Sequence, residues 1–212
     1  MQLLVTRNAT LRVGQPLHAP GLPPMPSPKL SRQHRRKTHK PEEPILSMIN
    51  SSIVQMKNVV KPKACAEFFD LKVEDELIQF ADLKFTSKDL SKNLKNCSKI
   101  VLAAVTVGSQ ADFLIRKAQI QDSAKSSIMQ AVGAAFAEHT IETLNNVISK
   151  QAEQNGFKTH PRYSPGYGDV PLSFQKEFFR LLPCAKIGLT LMETLIMAPE
   201  KSVTAFIGIE KI

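Results

Sequence analysis

The sequence predicts the α+β class, on three observations. Helical and strand-like segments follow one another in mixed order, without the regular strand–helix–strand alternation of a parallel sheet. Residues 100–107 form a β-branched apolar run that stops at Gly108, the mark of a buried strand. From Asp122 to about residue 151 runs a single long helical pattern. Its middle, Gly133-Ala134-Ala135-Phe136-Ala137, is small and apolar on all sides, as expected of a buried helix closely approached by its neighbours.

The other elements follow from local chemistry. Residues 45–60 read as a short lead-in helix. Residues 66–71 and 76–80 read as short strands joined by a turn at 72–75. Ser87 is placed to cap a short helix through Leu94. Ser109 with Asp112 three positions on has capping-box form, with Asp in place of Glu, and opens a helix to about Ala118. Ser173 is expected to cap a helix over 174–182 that Pro183 stops, with Phe174, Phe178, Leu181 and Leu182 as one core stripe. Residues 194–197 and 202–209 read as a hairpin around Pro199-Glu200-Lys201, with Val203, Ala205, Ile207 and Ile209 alternating inward.

The chain has 212 residues and a formal net charge of +9, unevenly placed. Residues 1–44 carry eight basic side chains against two acidic ones, eight prolines and no aromatic residue. Such a segment buries too little apolar surface to offset chain entropy, so it reads as a disordered basic tail ahead of a domain over 45–212. Three accounts of the tail compete: nucleic-acid binding through Arg32 to Lys40, a transit peptide, or a start at Met48 or Met56 instead of Met1. The last is favoured, because patterned sequence begins only after the tail. No stretch approaches the ~18 apolar residues that span a bilayer, and Met1 to Val5 is too short for a secretory core. Cys65, Cys97 and Cys184 are odd in number and widely spaced, which suits buried thiols in a reducing cytoplasm better than a disulfide framework or a zinc site.

Chemistry concentrates in Arg162-Tyr163-Ser164-Pro165-Gly166-Tyr167-Gly168-Asp169. Residues 154–171 carry neither period, and a connection that long inside a compact domain is usually functional or disordered. Pro165-Gly166 is a turn signal. Gly166 and Gly168 leave the main chain bare to a ligand. Arg162 offers a donor fork for a carboxylate or phosphate. Tyr163 and Tyr167 are the only tyrosines in the chain. Chemistry alone weighs a surface turn with a solvated arginine equally against a ligand cradle.

At these residues the chain resembles the activation domain of cobalamin-dependent methionine synthase. That family's signature of arginine, a variable residue, a small residue and Pro-Gly-Tyr is met by Arg162, Ser164, Pro165, Gly166 and Tyr167. Similarity continues through Pro171-Leu172, Gln175, residues 178–182, Lys186-Ile187-Gly188-Leu189-Thr190, Glu193-Thr194 and residues 197–203. Upstream, Ser87-Lys88-Asp89-Leu90, Asn96-Cys97 and residues 101–108 resemble short stand-alone members, so the likeness spans roughly 59–209. The resemblance implies a twisted antiparallel sheet with helices packed around it. It also implies binding of S-adenosylmethionine and presentation of its methyl group to cobalamin held by a separate methyltransferase subunit, with a flavodoxin-like reductant as a further partner. Such a chain is an accessory component, with no catalysis of its own expected.

Ligand contacts are implied at Arg162, Ser164, Gly166 and Tyr167, the tyrosine also facing cobalamin. Glu138 aligns with a glutamate near the family's ligand cleft. Glu142, one helical turn on, has no such support, and by itself the pair reads as an exposed acidic edge. The residue chemistry is compatible with these roles: Arg162 for the ligand carboxylate, Tyr167 and Glu138 for its cation, and residues 163–166 as the edge of an adenine slot. The chain departs from the long enzymes in having Gly168 where they carry proline. A later tyrosine contact of the family has no counterpart here, and its early acidic contact is not placed, because residues before about Val59 do not match. An alternative function is therefore a corrinoid-protein docking module that holds no S-adenosylmethionine. A third, nucleic-acid binding through the tail, predicts strongly salt-dependent binding. His139 and Glu142 are spaced i, i+3 but read as a solvated helix face. No dinucleotide loop or nucleophile elbow is present.

Overall fold

The computed structural model describes residues 2–5 and 43–212. It confirms the α+β class. One sheet runs in the order β4-β3-β2-β5-β9-β6, every adjacent pair antiparallel. Its strands are β2 (Lys63–Glu74), β3 (Leu77–Phe80), β4 (Leu83–Thr86), β5 (Cys97–Thr106), β6 (Phe157–Thr159) and β9 (Ser202–Lys211). The four-residue strand β1 (Gln2–Val5) pairs in parallel with the start of β2. A small ribbon joins β7 (Thr190–Leu191) to β8 (Met197–Ala198). The helices are α1 (Glu43–Val59), α2 (Lys88–Asn93), α3 (Ser109–Gln121), α4 (Ser123–Gln154) and α5 (Gln175–Leu181). Of the tail expected to be disordered, residues 6–42 lie outside the described residues. No helix among the described residues is long and apolar enough to cross a membrane.

Strand period builds the core. In β5, Ile100, Leu102 and Ala104 enter one layer, and Val101, Ala103 and Val105 enter the other. β2 does the same with Cys65 and Leu71 against Ala64, Ala66 and Phe68. The first layer is closed by Leu90, Phe178 and Leu182, and the second by Ile141, Leu144 and Ile148 of α4. A third cluster joins Met56 of α1 with Ile115 of α3 and Met129 and Phe136 of α4.

β9 needs both layers, and this corrects the expected hairpin. Thr204, Phe206 and their inward neighbours Ala205 and Ile207 are all buried, because β9 lies between β5 and β6 with packing on both faces. It pairs with neither residues 194–197 nor β8. A Pro-Glu-Lys segment signals a turn but says nothing of which strand the chain then joins. Phe206 is the hub of an aromatic cluster, with ring centroids 4.7 Å from Phe178, 5.5 Å from Phe174 and 6.3 Å from Phe80. Arg180 clips α5 to the β3–β4 turn by two bonds to Asp82, of 2.9 and 2.7 Å.

Several boundaries also differ from expectation. β2 continues through 72–74, so the turn to β3 falls at Asp75-Glu76, and Asp75 takes a φ of 54° there. β4 carried no clear signal, its alternation being confined to four residues. Ser173 caps nothing: a 3-10 turn at Leu172–Phe174 leads into α5 without a side-chain cap. Ser109 does not cap α3 either. The N-cap is Gly108, and the Asp112 carboxylate leaves its own helix to accept from the Glu200 amide at 2.7 Å. Ser87 and Asp122 do cap, Ser87 accepting from Leu90 N and Asp122 from Ala124 N and Lys125 N. In α4 the small segment is buried on one side only. Gly133, Phe136 and Ala137 face the core while Ala134 and Ala135 are exposed, because alanine suits either face. All three cysteines are free and buried.

Truncating Phe206 removes the ring that this core converges on. Phe206→Ala is expected to cost about 3–5 kcal/mol, read as a lower urea midpoint at unchanged slope.

Candidate functional site

The 162–169 loop is fixed at both ends by bonds its sequence does not advertise. Before it, β6 pairs with β9. A carbonyl only accepts, so His160 Nδ1 donates to Asn93 O at 2.6 Å, while Nε2 lies 2.7 Å from Glu210 Oε2. His160 first, then Lys158, holds the Glu210 carboxyl below the usual carboxylate range. The stretch expected to lack regular structure thus carries a strand. Tyr163 then bridges to Phe206, with amide-to-carbonyl distances of 3.0 and 2.7 Å. Ser164 Oγ donates to Thr204 O at 2.7 Å.

The expected turn forms at Ser164-Pro165-Gly166-Tyr167. Tyr167 N donates to Ser164 O at 3.3 Å, with Gly166 at a φ of 89°. Gly166 N donates to Val170 O at 2.9 Å, which closes the loop. At the far end Asp169 takes over the head of α2. It accepts from Ser87 Oγ at 2.5 Å, Lys88 N at 2.6 Å and Asp89 N at 3.4 Å. The Ser87 hydroxyl, followed by those amides, lowers the Asp169 carboxyl's pKa.

The bare backbone of the glycines is used by the protein itself, not left open as the sequence suggested. A Cβ on Gly168 would strike Tyr163 Oη and would lie 2.6 Å from Asp89 Oδ2. One on Gly166 would sit 3.3 Å from Leu172 Cδ1. Tyr163 is therefore a strut: its hydroxyl donates to Tyr167 O at 2.9 Å. Burial, then the Asp89 and Asp169 carboxylates, raises its phenol pKa.

Arg162 and α4 meet. Arg162 Nη2 lies 3.4 Å from Glu138 Oε2 and 3.2 Å from Glu142 Oε2. The two carboxylates that would repel along α4 are bridged by one guanidinium, so Glu142, which had only the bland reading, joins Glu138. The Arg162 side chain is 23% exposed and the glutamates 63% and 53%. Both contacts use Nη2, so Nε and Nη1 have no bond to a described residue. Tyr167 is 69% exposed on the turn. The loop thus brings together Arg162, Glu138 and Glu142, with Tyr167 on the adjoining turn. Ser164 and Gly166 shape the loop with their own bonds. Lys201 is drawn elsewhere, to Gln130 Oε1 at 2.5 Å beside Gly133. Among the described residues no group of His, Cys, Asp and Glu is arranged to hold a metal.

Comparison with known proteins gives a fold match. A crystal structure of the MetH reactivation domain bound to AdoHcy is similar to this chain with a TM-score of 0.59 at 17% identity, covering 78% of this chain and 64% of that one. This chain therefore spans less than two thirds of the length of that domain. At this identity the likeness shows a shared fold. No protein-family model and no curated protein matches the sequence.

The Asp169 clamp makes loop order depend on pH. The folded carboxyl has a depressed pKa, so its stabilisation is present above the ordinary carboxylate pKa and is lost as pH falls through the folded value. Asp169→Asn is expected to speed hydrogen exchange at the Gly166 and Val170 amides at neutral pH. The difference from wild type should close as the solution is acidified below pH ~4.

Proposed function

We propose that this chain binds S-adenosylmethionine through Arg162, Glu138 and Glu142 and serves as a reactivation module for a cobalamin-dependent methyltransferase carried on a separate chain, methionine synthase being the type. The observation that carries this reading is the charge pattern beside the turn. One guanidinium faces two carboxylates, a net charge of −1. An amino-acid head with a sulfonium has one carboxylate, one ammonium and one sulfonium, a net +1. The open Nε and Nη1 donors suit the ligand carboxylate, and the half-exposed glutamates suit its two cations. The fold shared with the MetH reactivation domain bound to AdoHcy supports the same ligand class. When bound, S-adenosylmethionine supplies an electrophilic methyl group to the corrin. This chain's residues hold and orient the donor.

A second reading is favoured by Tyr167, an aromatic side chain 69% exposed at a rigid turn. It would make the loop a contact for a corrinoid protein, with Arg162 kept by its glutamates and no adenosyl ligand held. Calorimetry separates the two. The first reading requires S-adenosylmethionine binding that weakens by about 1.5–3 kcal/mol in Arg162→Ala, the range for hydrogen bonds to charged groups. Tight corrinoid-protein binding with no heat from S-adenosylmethionine would leave the docking module.

The carboxylates provide a sharper test. Wild type is expected to prefer the sulfonium over the neutral thioether AdoHcy. Glu138→Gln with Glu142→Gln should weaken both ligands, because AdoHcy keeps the ammonium, but should weaken S-adenosylmethionine about tenfold more, since ~1.4 kcal/mol is one decade. Equal loss for both ligands would rule out charge selection.

A further inference from the structure

A cavity of about 790 Å³ opens at the head of α3 and shares no lining residue with the Arg162 loop. We propose that it binds a small organic phosphate carrying a hydroxyl or amine donor close to its phosphate group. Three observations carry this. The first is the helix head: α3 has 13 residues, and its N-cap is Gly108 at a φ of 92°, with no side chain to take up the leading amides. Amides at such a terminus, with the positive end of the helix dipole, suit a phosphate. The second is charge. Lys61, Lys63 and Arg116 line the same cavity. Arg116 has only a 3.9 Å approach to Glu200 and is largely exposed, so its donors are available.

The third observation points to what else the ligand carries. Asp112 lines the cavity and is 6% exposed. Its Oδ2 accepts from Glu200 N, while its buried Oδ1 has no hydrogen-bond partner. A buried carboxylate oxygen without a donor is costly, and an anion with no proton to donate, such as sulfate, would only repel it. A phosphate ester with a neighbouring hydroxyl or amine answers the amides and cations at one end and Asp112 at the other.

The test uses the full chain labelled with ¹⁵N, titrated with ribose 5-phosphate and separately with sulfate, a tetrahedral anion that carries no donor. Ribose 5-phosphate is expected to shift the Ser109 and Gln110 amides at millimolar concentration and to bind about tenfold more tightly than sulfate. Lys61→Gln with Arg116→Gln, both exposed positions, should weaken both ligands by tenfold or more. Asp112→Asn keeps an acceptor for the Glu200 amide and should abolish the difference between the two probes. Unmoved amides, or unchanged affinity in Lys61→Gln with Arg116→Gln, would overturn the site. Equal affinity of the two probes in wild type would overturn the role of Asp112 without recourse to that variant. Since neither probe is an adenosyl sulfonium, these results are independent of the Arg162 loop.

Discussion

The two-way exchange of hydrogen bonds between Tyr163 and Phe206 is the constraint on which the rest depends. Phe206 is fully buried and meets three other phenylalanine rings. The same residue's backbone holds the loop by its first aromatic residue. The position of the loop is therefore inherited from the best-packed part of the molecule. Aromatic packing fixes β9, β9 fixes Tyr163, and the Tyr163 hydroxyl then fixes the carbonyl of Tyr167 across the turn. The first two steps use groups that cannot shift without opening a void or leaving the buried Phe206 backbone unpaired; the third is an exposed bond.

That rigidity accounts for the meeting of Arg162 with α4. An arginine on a free loop would sample solvent, and two glutamates one turn apart would weaken their helix slightly. Held next to β9, the guanidinium relieves that repulsion and is itself restrained by it. Exposed ion pairs contribute little stability on their own. The importance of this one is in what it presents: a cation with open donors beside an excess of negative charge. On the proposed reading, such an arrangement sorts ligands by total charge as well as by shape.

The sequence revealed those parts that rest on local chemistry. The Pro165-Gly166 turn, the caps at Ser87 and Asp122, and the β5 strand ending before Gly108 all express residue-level preferences, and the structure contains them. What it hid is non-local. Nothing near Asp169 announces that it binds the head of α2, 80 residues away. Ser109 had the right spacing for a cap, yet Asp112 was claimed by the Glu200 amide. Gly168 looked like an opening for a ligand because the residue pattern does not show Tyr163 folding back over it, and its other neighbour, Asp89, lies far off in the chain. Glu142 could not be told from an ordinary solvated glutamate until Arg162 was placed. The β9 error has the same origin: a turn signal says that the chain reverses, not which strand it pairs with next.

Helix α4 carries a further consequence. Near its start it holds Gln130 against Lys201, and about its middle it holds Glu138 and Glu142 against Arg162. A helix advances about 1.5 Å and turns about 100° per residue, so Gln130 and Glu138 stand about 12 Å apart with their bearings locked together. The helix therefore sets phase as well as distance between the two contacts. Adding one residue between them would preserve helix propensity yet swing the carboxylates a quarter-turn off the guanidinium, so the length of this segment is as constrained as the identity of the residues at its ends.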